Sequence, residues 1–460
     1  MSFAGIGQSE TRGSSQFGKY EKLAPFVRIF SAASAMIVGS LLSTPAGASC
    51  DSDGDFPNIY DLDASFSPAS GELSVRGKMV LVADAETASV ELLLNKAMHL
   101  ERFAATGKPV KMAVEDDIEI AGQPLPRTRR ITLTPAEPFN AGEKLEIDLQ
   151  YRGRLTNDDI ELGRGAVSPD WTELTFESVW YPIWLAEPLV CSTVDLVLPE
   201  GFDAIGPGTT TQIGPNRWHL APGAPVLGRI TFAASNSWTI ERRQFGSLSV
   251  ALYSAVPEPR APQIFGTVEG TYAYYQDLFG APDGSDKSIT LLLPNGEVAL
   301  KQANQSYSTN GDFIAMDQSD PIVQLDALNH EVAHLWWSSG RSGTPDEFLS
   351  ESVSEYLAMR RGGQIWGDDW LRQRRASSAN RSVAIPSSLR QIDGPGGDRQ
   401  GLLYDRGPTA LWALHDRIGE AAVDDILRSV RSSHIDTLEG FLNEVEREHP
   451  DPARVLSGEL

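Results

Sequence analysis

Hydrophobic and polar residues alternate along much of the first half of the chain. Leu73–Val82 starts with alternation and becomes an apolar run, Leu145–Tyr151 alternates, and shorter β-branched or alternating runs recur at Ile131–Thr134 and Val194–Leu198. A period of two is typical of strands that bury one face. Gly and Pro interrupt the runs at short intervals. The region Tyr60–Ser247 is therefore predicted to form an antiparallel β sandwich or saddle of short strands.

The second half of the chain mixes strand and helix patterns. Leu248–Ser254 predicts a strand that leads into this half, Ser288–Leu293 a buried strand and Gln305–Met316 a further strand. Helical spacing is found in three further segments, Val268–Phe279, Glu420–Arg431 and Leu438–Glu448. Gly362-Gly363 is expected to close a helix, and Ser377–Gly401 is expected to be rich in loop.

These patterns predict an α+β chain with two folded domains. We place an N-terminal β domain at residues 49–247 and an α+β domain at residues 248–460. Residues 1–48 are expected to be a disordered N-terminus followed by a signal peptide. The apolar run Ile29–Leu42 follows Arg28 and is too short to span a bilayer comfortably. Ala46-Gly47-Ala48 fits the rule of small residues at a cleavage site, which predicts cleavage after Ala48.

Export follows from this interpretation, to the periplasm or the extracellular space. An uncleaved anchor or a hydrophobic N-terminal helix is the alternative. No stable membrane insertion is expected once the signal peptide has been removed. The 460 residues have 41% hydrophobic and 22% charged content, which is ordinary for a soluble protein. A net charge of −23 argues against nucleic acid or an anionic membrane as the main partner.

The chain has two cysteines, Cys50 and Cys191, and neither lies in a C-x-x-C pattern. In an oxidising compartment they can form a disulfide, and otherwise they are two free thiols. Lipidation of Cys50 has weak support, because Gly47 stands where a lipoprotein site prefers an aliphatic residue. The sequence leaves these alternatives open.

The candidate chemistry lies in His330-Glu331-Val332-Ala333-His334, which reads H-E-x-x-H. Apolar residues recur at helical spacing around it, Pro321 suits a first helical position, and no Gly or Pro follows until Gly340. The motif is therefore expected in mid-helix. Residues four apart share a helix face, so the two imidazoles can bind one zinc ion, with Glu331 beside a water on that ion.

A catalytic zinc site needs a third protein ligand and one open position. Thr344-Pro345-Asp346-Glu347 predicts the start of another helix, with Thr344 as the cap and Glu347 closing a capping box. Glu347, Glu351 and Glu355 are expected to share one face of that helix. Spacing alone does not choose among these three carboxylates.

This stretch resembles the alanyl-aminopeptidase and leukotriene-hydrolase family of gluzincin zinc peptidases. Phe348-Leu349-Ser350-Glu351, with Tyr356 five residues after Glu351, matches the family pattern that follows H-E-x-x-H. The resemblance implies that Glu351 is the third ligand. The connection from His334 to Glu351 is shorter than is usual in the family, so Glu355 stays as the alternative ligand.

The resemblance extends over most of the chain after residue 48. It implies an N-terminal β domain and a thermolysin-like zinc peptidase domain, in a short form without the family's C-terminal helical domain. Tyr404-Asp405-Arg406-Gly407 matches the family's Tyr-x-Lys/Arg-Gly, so Tyr404 is expected to stabilise the oxyanion. Ser308 stands where family aminopeptidases carry the Glu that binds the substrate's free amine. Glu297, Asp312 or a residue of the β domain can replace that Glu.

We therefore expect an exported zinc metallopeptidase with one zinc ion held by His330, His334 and Glu351. Glu331 is the expected general base and Tyr404 the expected oxyanion donor. The substrate is expected to be a peptide or protein, cleaved by an aminopeptidase with non-standard N-terminus recognition. Two alternatives stay open: a zinc hydrolase of a non-peptide substrate, and an exported binding protein with a structural metal. Oligomeric state is open too.

Overall fold

The computed structural model describes most of the chain after residue 57, together with residue 50. The described residues are 50, 58–83, 85–106, 109–120, 123–160, 165–184, 189–222, 226–227, 230–282, 287–294, 307–309, 312–316, 321–341, 343–392 and 398–460. The predicted signal peptide, its cleavage site and Glu297 lie outside these residues. Within them, no helix combines the length and apolar character needed to cross a bilayer.

The first half of the chain is built from strands, as its alternating pattern predicts. The strands are β1 (Ile59–Ser67), β2 (Glu72–Val82), β3 (Val90–Asn95), β4 (Met98–Thr106), β5 (Val110–Ile120), β6 (Gln123–Pro135), β7 (Lys144–Arg154), β8 (Ala166–Val167), β9 (Trp171–Leu174), β10 (Ile183–Trp184), β11 (Leu189–Val197), β12 (Asp203–Ile205), β13 (Thr209–Gly214), β14 (Arg217–Ala221), β15 (Val226–Leu227) and β16 (Phe232–Ser235).

These strands form three sheets around one apolar core. The largest sheet has the order β13-β14-β11-β1-β2-β7-β4, with β15 beside β11, and the two smaller sheets have the orders β10-β3-β6-β5 and β12-β16-β9-β8. Most neighbours are antiparallel, as predicted, but β1 pairs with β11 in parallel. The alternating faces of β1, β2 and β7 point into the core, where Tyr151 and Trp180 are fully buried.

The second half of the chain combines one sheet with a layer of helices. Its strands are β17 (Thr239–Phe245), β18 (Leu248–Ser254), β19 (Lys287–Leu293), β20 (Tyr307–Thr309) and β21 (Phe313–Ala315). The order is β17-β18-β19-β21-β20, with β18, β19 and β21 parallel to one another. The two outer strands are antiparallel to their neighbours. The chain therefore has the predicted α+β fold, and the exact boundary between its domains stays a prediction.

Helices cover one face of this sheet and supply the candidate site. They are α1 (Ala261–Phe279), α2 (Pro321–Ala333), α3 (Glu351–Trp366), α4 (Asp368–Val383), α5 (Gly407–Ile418), α6 (Glu420–Ser432), α7 (Leu438–Glu448) and α8 (Pro450–Glu459). Short 3-10 helices lie at Phe176–Ser178, Pro345–Leu349 and Leu389–Gln391. A helical turn at Arg399–Gly401 leads into a π-helix at Leu402–Arg406 and then into α5.

The expectations for Gly362-Gly363 and for the segment after Ser377 are wrong. Gly362 and Gly363 do not close a helix but lie inside α3, because α4 crosses them closely. A Cβ atom on Gly362 would lie 2.4 Å from the ring of Trp370, and one on Gly363 would lie 2.9 Å from Leu371. The segment from Ser377, predicted as loop, continues α4 to Val383. This helix has no apolar stripe to reveal it, since few of its side chains are buried.

A small apolar cluster joins the two sheets across the domain boundary. From the β domain it includes Trp171, Ile205 and Ala233, and from the second sheet Leu292 and Phe313. These side chains are almost fully buried. Since burial of large apolar groups supplies most of the energy of packing, the cluster fixes the β domain against β19 and β21.

The structure contains a disulfide bond between Cys50 and Cys191. Of the alternatives that the sequence left open, it therefore has the disulfide and not two free thiols. The two Cα atoms lie 5.5 Å apart, and the bond joins residues separated by 141 positions. Cys191 lies on β11, beside β1. The bond therefore ties the start of the described chain to the largest sheet, and it leaves no free cysteine in the chain.

We predict that loss of this disulfide lowers the free energy of unfolding by about 2–4 kcal/mol, because the cross-link closes a long loop in the unfolded chain. Chemical denaturation of Cys50→Ala, Cys191→Ala and the double variant measures this. All three are expected to lose the same amount. A double variant as stable as the wild type would contradict the prediction.

We also predict a pH-dependent contribution from Asp312. Burial raises the pKa of Asp312 to about 6, above the value near 4 of an unfolded Asp. The folded state therefore binds the proton more tightly, and the cost of the buried charge is present above pH 6 and falls away as the pH drops toward 4.

Asp312→Asn removes this cost at every pH. Its stability relative to the wild type is expected to be greater at pH 8 than at pH 4 by about 2 kcal/mol. Thermal and urea unfolding at the two pH values measure the difference. Asp277→Asn, at an exposed position of α1, is the control and should show little change. An equal effect of Asp312→Asn on stability at both pH values would show that the pKa of Asp312 is not raised by folding.

Candidate metal centre

The two histidines of the motif lie at the C-terminal end of α2. Helical spacing brings their rings together, with centroids 4.9 Å apart and planes nearly perpendicular. The opposite face of α2 buries Leu325, Leu328 and Val332 in the core, which fixes the helix. The helix ends at Ala333, so the expected mid-helix position is wrong. The His334 amide instead donates to the Glu331 carbonyl at 3.3 Å, which keeps the turn tight.

A third potential ligand, Glu351, approaches from the first turn of α3. Its Oε2 atom lies 3.4 Å from Nε2 of His330 and 3.8 Å from Nε2 of His334. The ligand atoms of His330, His334 and Glu351 all lie within 4.8 Å of one another. Two imidazole nitrogens and one carboxylate oxygen are a donor set typical of catalytic zinc sites.

The remaining nitrogen of each imidazole is held by a hydrogen-bond acceptor. Nδ1 of His330 lies 3.1 Å from Oε2 of Glu355, and Nδ1 of His334 lies 2.9 Å from the Trp337 carbonyl oxygen. A carboxylate and a carbonyl only accept, so both Nδ1 atoms must donate. Nε2 is then the nitrogen that each ring can offer to a metal, and on both rings it faces Glu351.

Glu355 therefore lies behind His330, on the side away from Glu351. One of its oxygens accepts from His330, and the other accepts from the guanidinium of Arg374. Arg374 also donates to Asp326 at 3.2 Å. This arrangement places Glu351, rather than the alternative Glu355, beside both Nε2 atoms, while the ligand role itself stays a prediction.

The connection between the two site helices differs from the predicted capping box. The Thr344 side chain accepts from the Asp346 amide at 3.3 Å, as a cap should, but it begins the 3-10 helix Pro345–Leu349. Glu347 accepts from the Gly343 amide at 3.0 Å and from Nε of Arg399 at 2.7 Å. Glu347 is thus buried in an ion pair, and only Glu351 and Glu355 lie on α3.

Glu331, the expected general base, lies next to the three ligand atoms. Its Oε2 atom is 4.0 Å from Nε2 of His334, and its side chain is nearly buried. Burial raises the pKa of Glu331 above its usual value, although His330 and His334 oppose the shift. A carboxylate in this position can exchange a proton with a group beside the site, which is the property required of a general base.

Tyr404, the expected oxyanion donor, completes the group from the π-helix. Its hydroxyl donates to Oε2 of Glu351 at 2.5 Å, and its ring stacks on His330 with centroids 5.5 Å apart. Burial and the nearby Glu351 carboxylate raise the pKa of Tyr404 well above its usual value. The hydroxyl therefore keeps its proton and remains a hydrogen-bond donor.

The structure brings together His330, Glu331, His334, Glu351 and Tyr404 from three separate segments of the chain. Sequence reasoning missed the supporting partner of Glu355, Arg374, because pairs between helices depend on packing rather than on a local pattern. One indication of such a partner was present in the sequence: Glu355 lies one helical turn after Glu351, where a carboxylate close to the site needs a positive charge.

The strand that would carry the amine-binding acid is present without a carboxylate at the matching position. Ser308 lies on β20, the outer strand of the second sheet, where its backbone pairs with Ile314. Asp312 follows at the turn into β21. It faces the β domain, since its carboxylate accepts from the backbone of Gly208.

Solved structures share this architecture. The M1 zinc metallopeptidase of Deinococcus radiodurans superimposes with a TM-score of 0.62 and 18% sequence identity, covering 88% of this chain and 93% of that one. Native LTA4 hydrolase of yeast gives a TM-score of 0.62 and 15% identity, covering 91% of this chain and 69% of that one. A mutant of the Deinococcus radiodurans enzyme bound to a Tyr-Ser-Ala substrate gives 0.59 and 19%.

No protein-family model matches the sequence, and no curated protein matches it either. At these identities the structural likeness concerns the fold. It confirms, at the level of the fold, the resemblance inferred from the residues around His330 and Tyr404.

We predict that Glu351→Ala weakens zinc binding far more than Glu355→Ala. Loss of a ligand removes a bond to the metal, whereas loss of a group behind a ligand typically costs about 10- to 100-fold in affinity. Competition with a chromogenic chelator measures both dissociation constants.

Glu439→Ala, which removes an exposed surface carboxylate, is the matched control and should bind zinc as the wild type does. Thermal unfolding of each metal-free variant shows whether it is folded. A larger loss in Glu355→Ala than in Glu351→Ala would reassign the ligand.

Proposed function

We propose that this chain is an exported zinc-dependent metallopeptidase that hydrolyses peptide bonds, with the character of an aminopeptidase. One observation carries the proposal: with each Nδ1 held by an acceptor, the Nε2 atoms of two imidazoles face one carboxylate, beside a second carboxylate and a tyrosine hydroxyl. Three protein donors leave a position for water or substrate, as in catalytic rather than structural zinc sites.

The donor set fits a single zinc ion. His330, His334 and Glu351 would hold it, and Glu355 and the Trp337 carbonyl keep both rings oriented. The surrounding carboxylates favour positive charge at this place. A bound zinc ion supplies a Lewis acid that polarises a carbonyl group and lowers the pKa of a bound water to about 7.

Glu331 acts as the general base and then as the general acid. It accepts a proton from the attacking water and passes it to the amine that leaves. Burial suits Glu331 to this work, since a carboxyl with a raised pKa returns a proton more readily than an exposed one.

Tyr404 donates a hydrogen bond to the oxyanion that develops at the scissile carbonyl. Its proton is retained because burial raises the pKa of its hydroxyl. The stacking contact with His330 and the hydrogen bond to Glu351 orient the phenol toward the ligand group. A donor oriented in advance stabilises the transition state without the cost of reorganisation.

Recognition of the substrate's N-terminus is proposed to use a group other than the family's strand carboxylate. Ser308 offers no charge to a free amine, so a carboxylate such as Asp312, Glu297 or one from the β domain takes that role. The similar Deinococcus radiodurans structure with a bound Tyr-Ser-Ala substrate supports a peptide as the substrate class.

Export is proposed from two independent features. The sequence at residues 29–48 has the composition of a signal peptide. The Cys50–Cys191 disulfide is typical of proteins that fold in an oxidising compartment. The protein is therefore proposed to act in the periplasm or outside the cell.

Hydrolysis of two matched fluorogenic peptides tests the proposed function, one with a free N-terminus and one with an acetylated N-terminus. We predict chelator-sensitive cleavage that favours the free peptide. Cleavage of both would indicate that the site accepts internal bonds. Absence of any cleavage would overturn the peptidase proposal and favour a non-peptide substrate or a metal-binding role without hydrolysis.

Glu331→Gln is the decisive variant for the mechanism. It is expected to retain zinc, because Glu331 is not a ligand, and to lose at least ~100-fold in kcat, the lower range for loss of general-base catalysis. Zinc content by atomic absorption and kcat with the free peptide are measured together. Turnover close to the wild type would exclude Glu331 as the base.

A further inference from the structure

We propose that α4, which contributes no ligand and no catalytic group, positions both halves of the site through two arginines. Arg374 holds His330 through Glu355, and Arg381 holds Tyr404 through Asp405. The inference rests on the proposed function for its kinetic consequence, whereas its effect on zinc binding can be measured without any substrate.

The first contact is a chain of charges behind His330. Arg374 lies between two carboxylates, donating through its guanidinium to Glu355 and through Nε to Asp326 at 3.2 Å. The side chain of Glu355 is only 8% exposed and that of Asp326 only 15%. The other oxygen of Glu355 accepts from Nδ1 of His330 at 3.1 Å.

Two carboxylates with so little exposure need a shared positive charge. Removal of one partner from a buried ion pair is strongly destabilising, because the other charge remains uncompensated. Without Arg374, Glu355 and Asp326 would repel each other and Glu355 would lose its fixed orientation. Nδ1 of His330 would then lose its acceptor, and Nε2 would no longer be directed toward Glu351.

The second contact fixes the turn that carries Tyr404. The guanidinium of Arg381 donates to the carboxylate of Asp405. Its Nε atom lies 3.0 and 3.1 Å from the two carboxylate oxygens, and its Nη2 atom lies 2.7 Å from Oδ1. Ser378 adds a hydrogen bond to the same carboxylate at 3.2 Å. Asp405 follows Tyr404 directly in the π-helix, an irregular geometry that needs such support.

Arg406 adds a second attachment between the π-helix and α4, in which the π-helix supplies the donor. Its guanidinium donates to the carbonyl oxygens of Ser382, at 3.3 Å, and of Ile385, at 2.6 Å, around the end of α4. The two residues after Tyr404 are therefore both bound to α4 or to the segment that follows it. The backbone that directs the phenol toward Glu351 is held by this helix.

The side chains of α4 that make these contacts lie on one face of the helix. Arg374, Ser378 and Arg381 recur at spacings of four and three, so their side chains lie in a row along the helix. The face is polar and turned toward the site, which explains why the helix has no apolar stripe. Arg372 lies outside this row, is well exposed and pairs with Asp369 of its own first turn.

The test separates the two arginines by their readouts. Arg374→Ala is expected to weaken zinc binding by about 10- to 100-fold, the usual effect of losing a group behind a metal ligand, with kcat at saturating zinc changed by less than ~3-fold. Chelator competition with the metal-free protein measures the affinity. Arg374→Lys keeps the charge but not the planar fork, so its affinity should lie between those of the wild type and Arg374→Ala.

Arg381→Ala is expected to show the opposite pattern. Its zinc affinity should stay within ~3-fold of the wild type, while kcat falls by ~10- to 100-fold at unchanged KM, because an oxyanion donor is displaced. A crystal structure of the variant should place the Tyr404 hydroxyl beyond hydrogen-bond distance of Glu351. Arg372→Ala is the matched control and should change none of these quantities.

Two results would overturn the inference. Equal changes of zinc affinity and kcat in both variants would mean that α4 only stabilises the fold, and unchanged values in both would mean that it has no role. If the wild type cleaves no peptide, the proposed function fails. The inference is then still decided by the zinc affinity of Arg374→Ala and by the position of Tyr404 in Arg381→Ala.

Discussion

The candidate site depends on the hydrogen bonds made by Nδ1 of its two histidines. An imidazole can offer either nitrogen to a metal, and only a fixed acceptor on one nitrogen decides which is presented. Here a carboxylate holds His330 and a backbone carbonyl holds His334. The carbonyl of Trp337 is available because α2 ends at Ala333 and the chain continues in tight turns to Trp337 instead of in a helix. The end of the helix is therefore part of the site.

The residues that meet at the candidate site could be predicted from the sequence because their signals are local. His330 and His334 share a face by spacing alone, and Glu351 was identified by the resemblance of the residues around it. The strands of the first half were predicted for the same reason, since alternation is a property of neighbouring residues. The parallel pairing of β1 with β11 was not, because it joins segments more than a hundred residues apart.

The errors in the helical layer have a common physical cause. The positions of Gly362 and of α4 are set by contacts between helices, and no local pattern records such contacts. Glu347 shows the same effect, since the predicted capping role was lost to a buried ion pair with Arg399, which lies far along the chain. A local sequence pattern predicts one partner for a side chain, but a partner that packs against it from a distant part of the chain can bind it more strongly.

Helices α3 and α4 cross closely at Gly362 and Gly363. The small size of these two residues therefore affects the geometry of the predicted metal ligands. Glu351 and Glu355 belong to α3 and Arg374 to α4, so the interaxial distance between these helices determines how far the guanidinium reaches. Even one methyl group at Gly362 would push Trp370 outward and withdraw the counter-charge from Glu355. The geometry of the candidate site is therefore sensitive to atoms added at Gly362, on the face where the two helices meet.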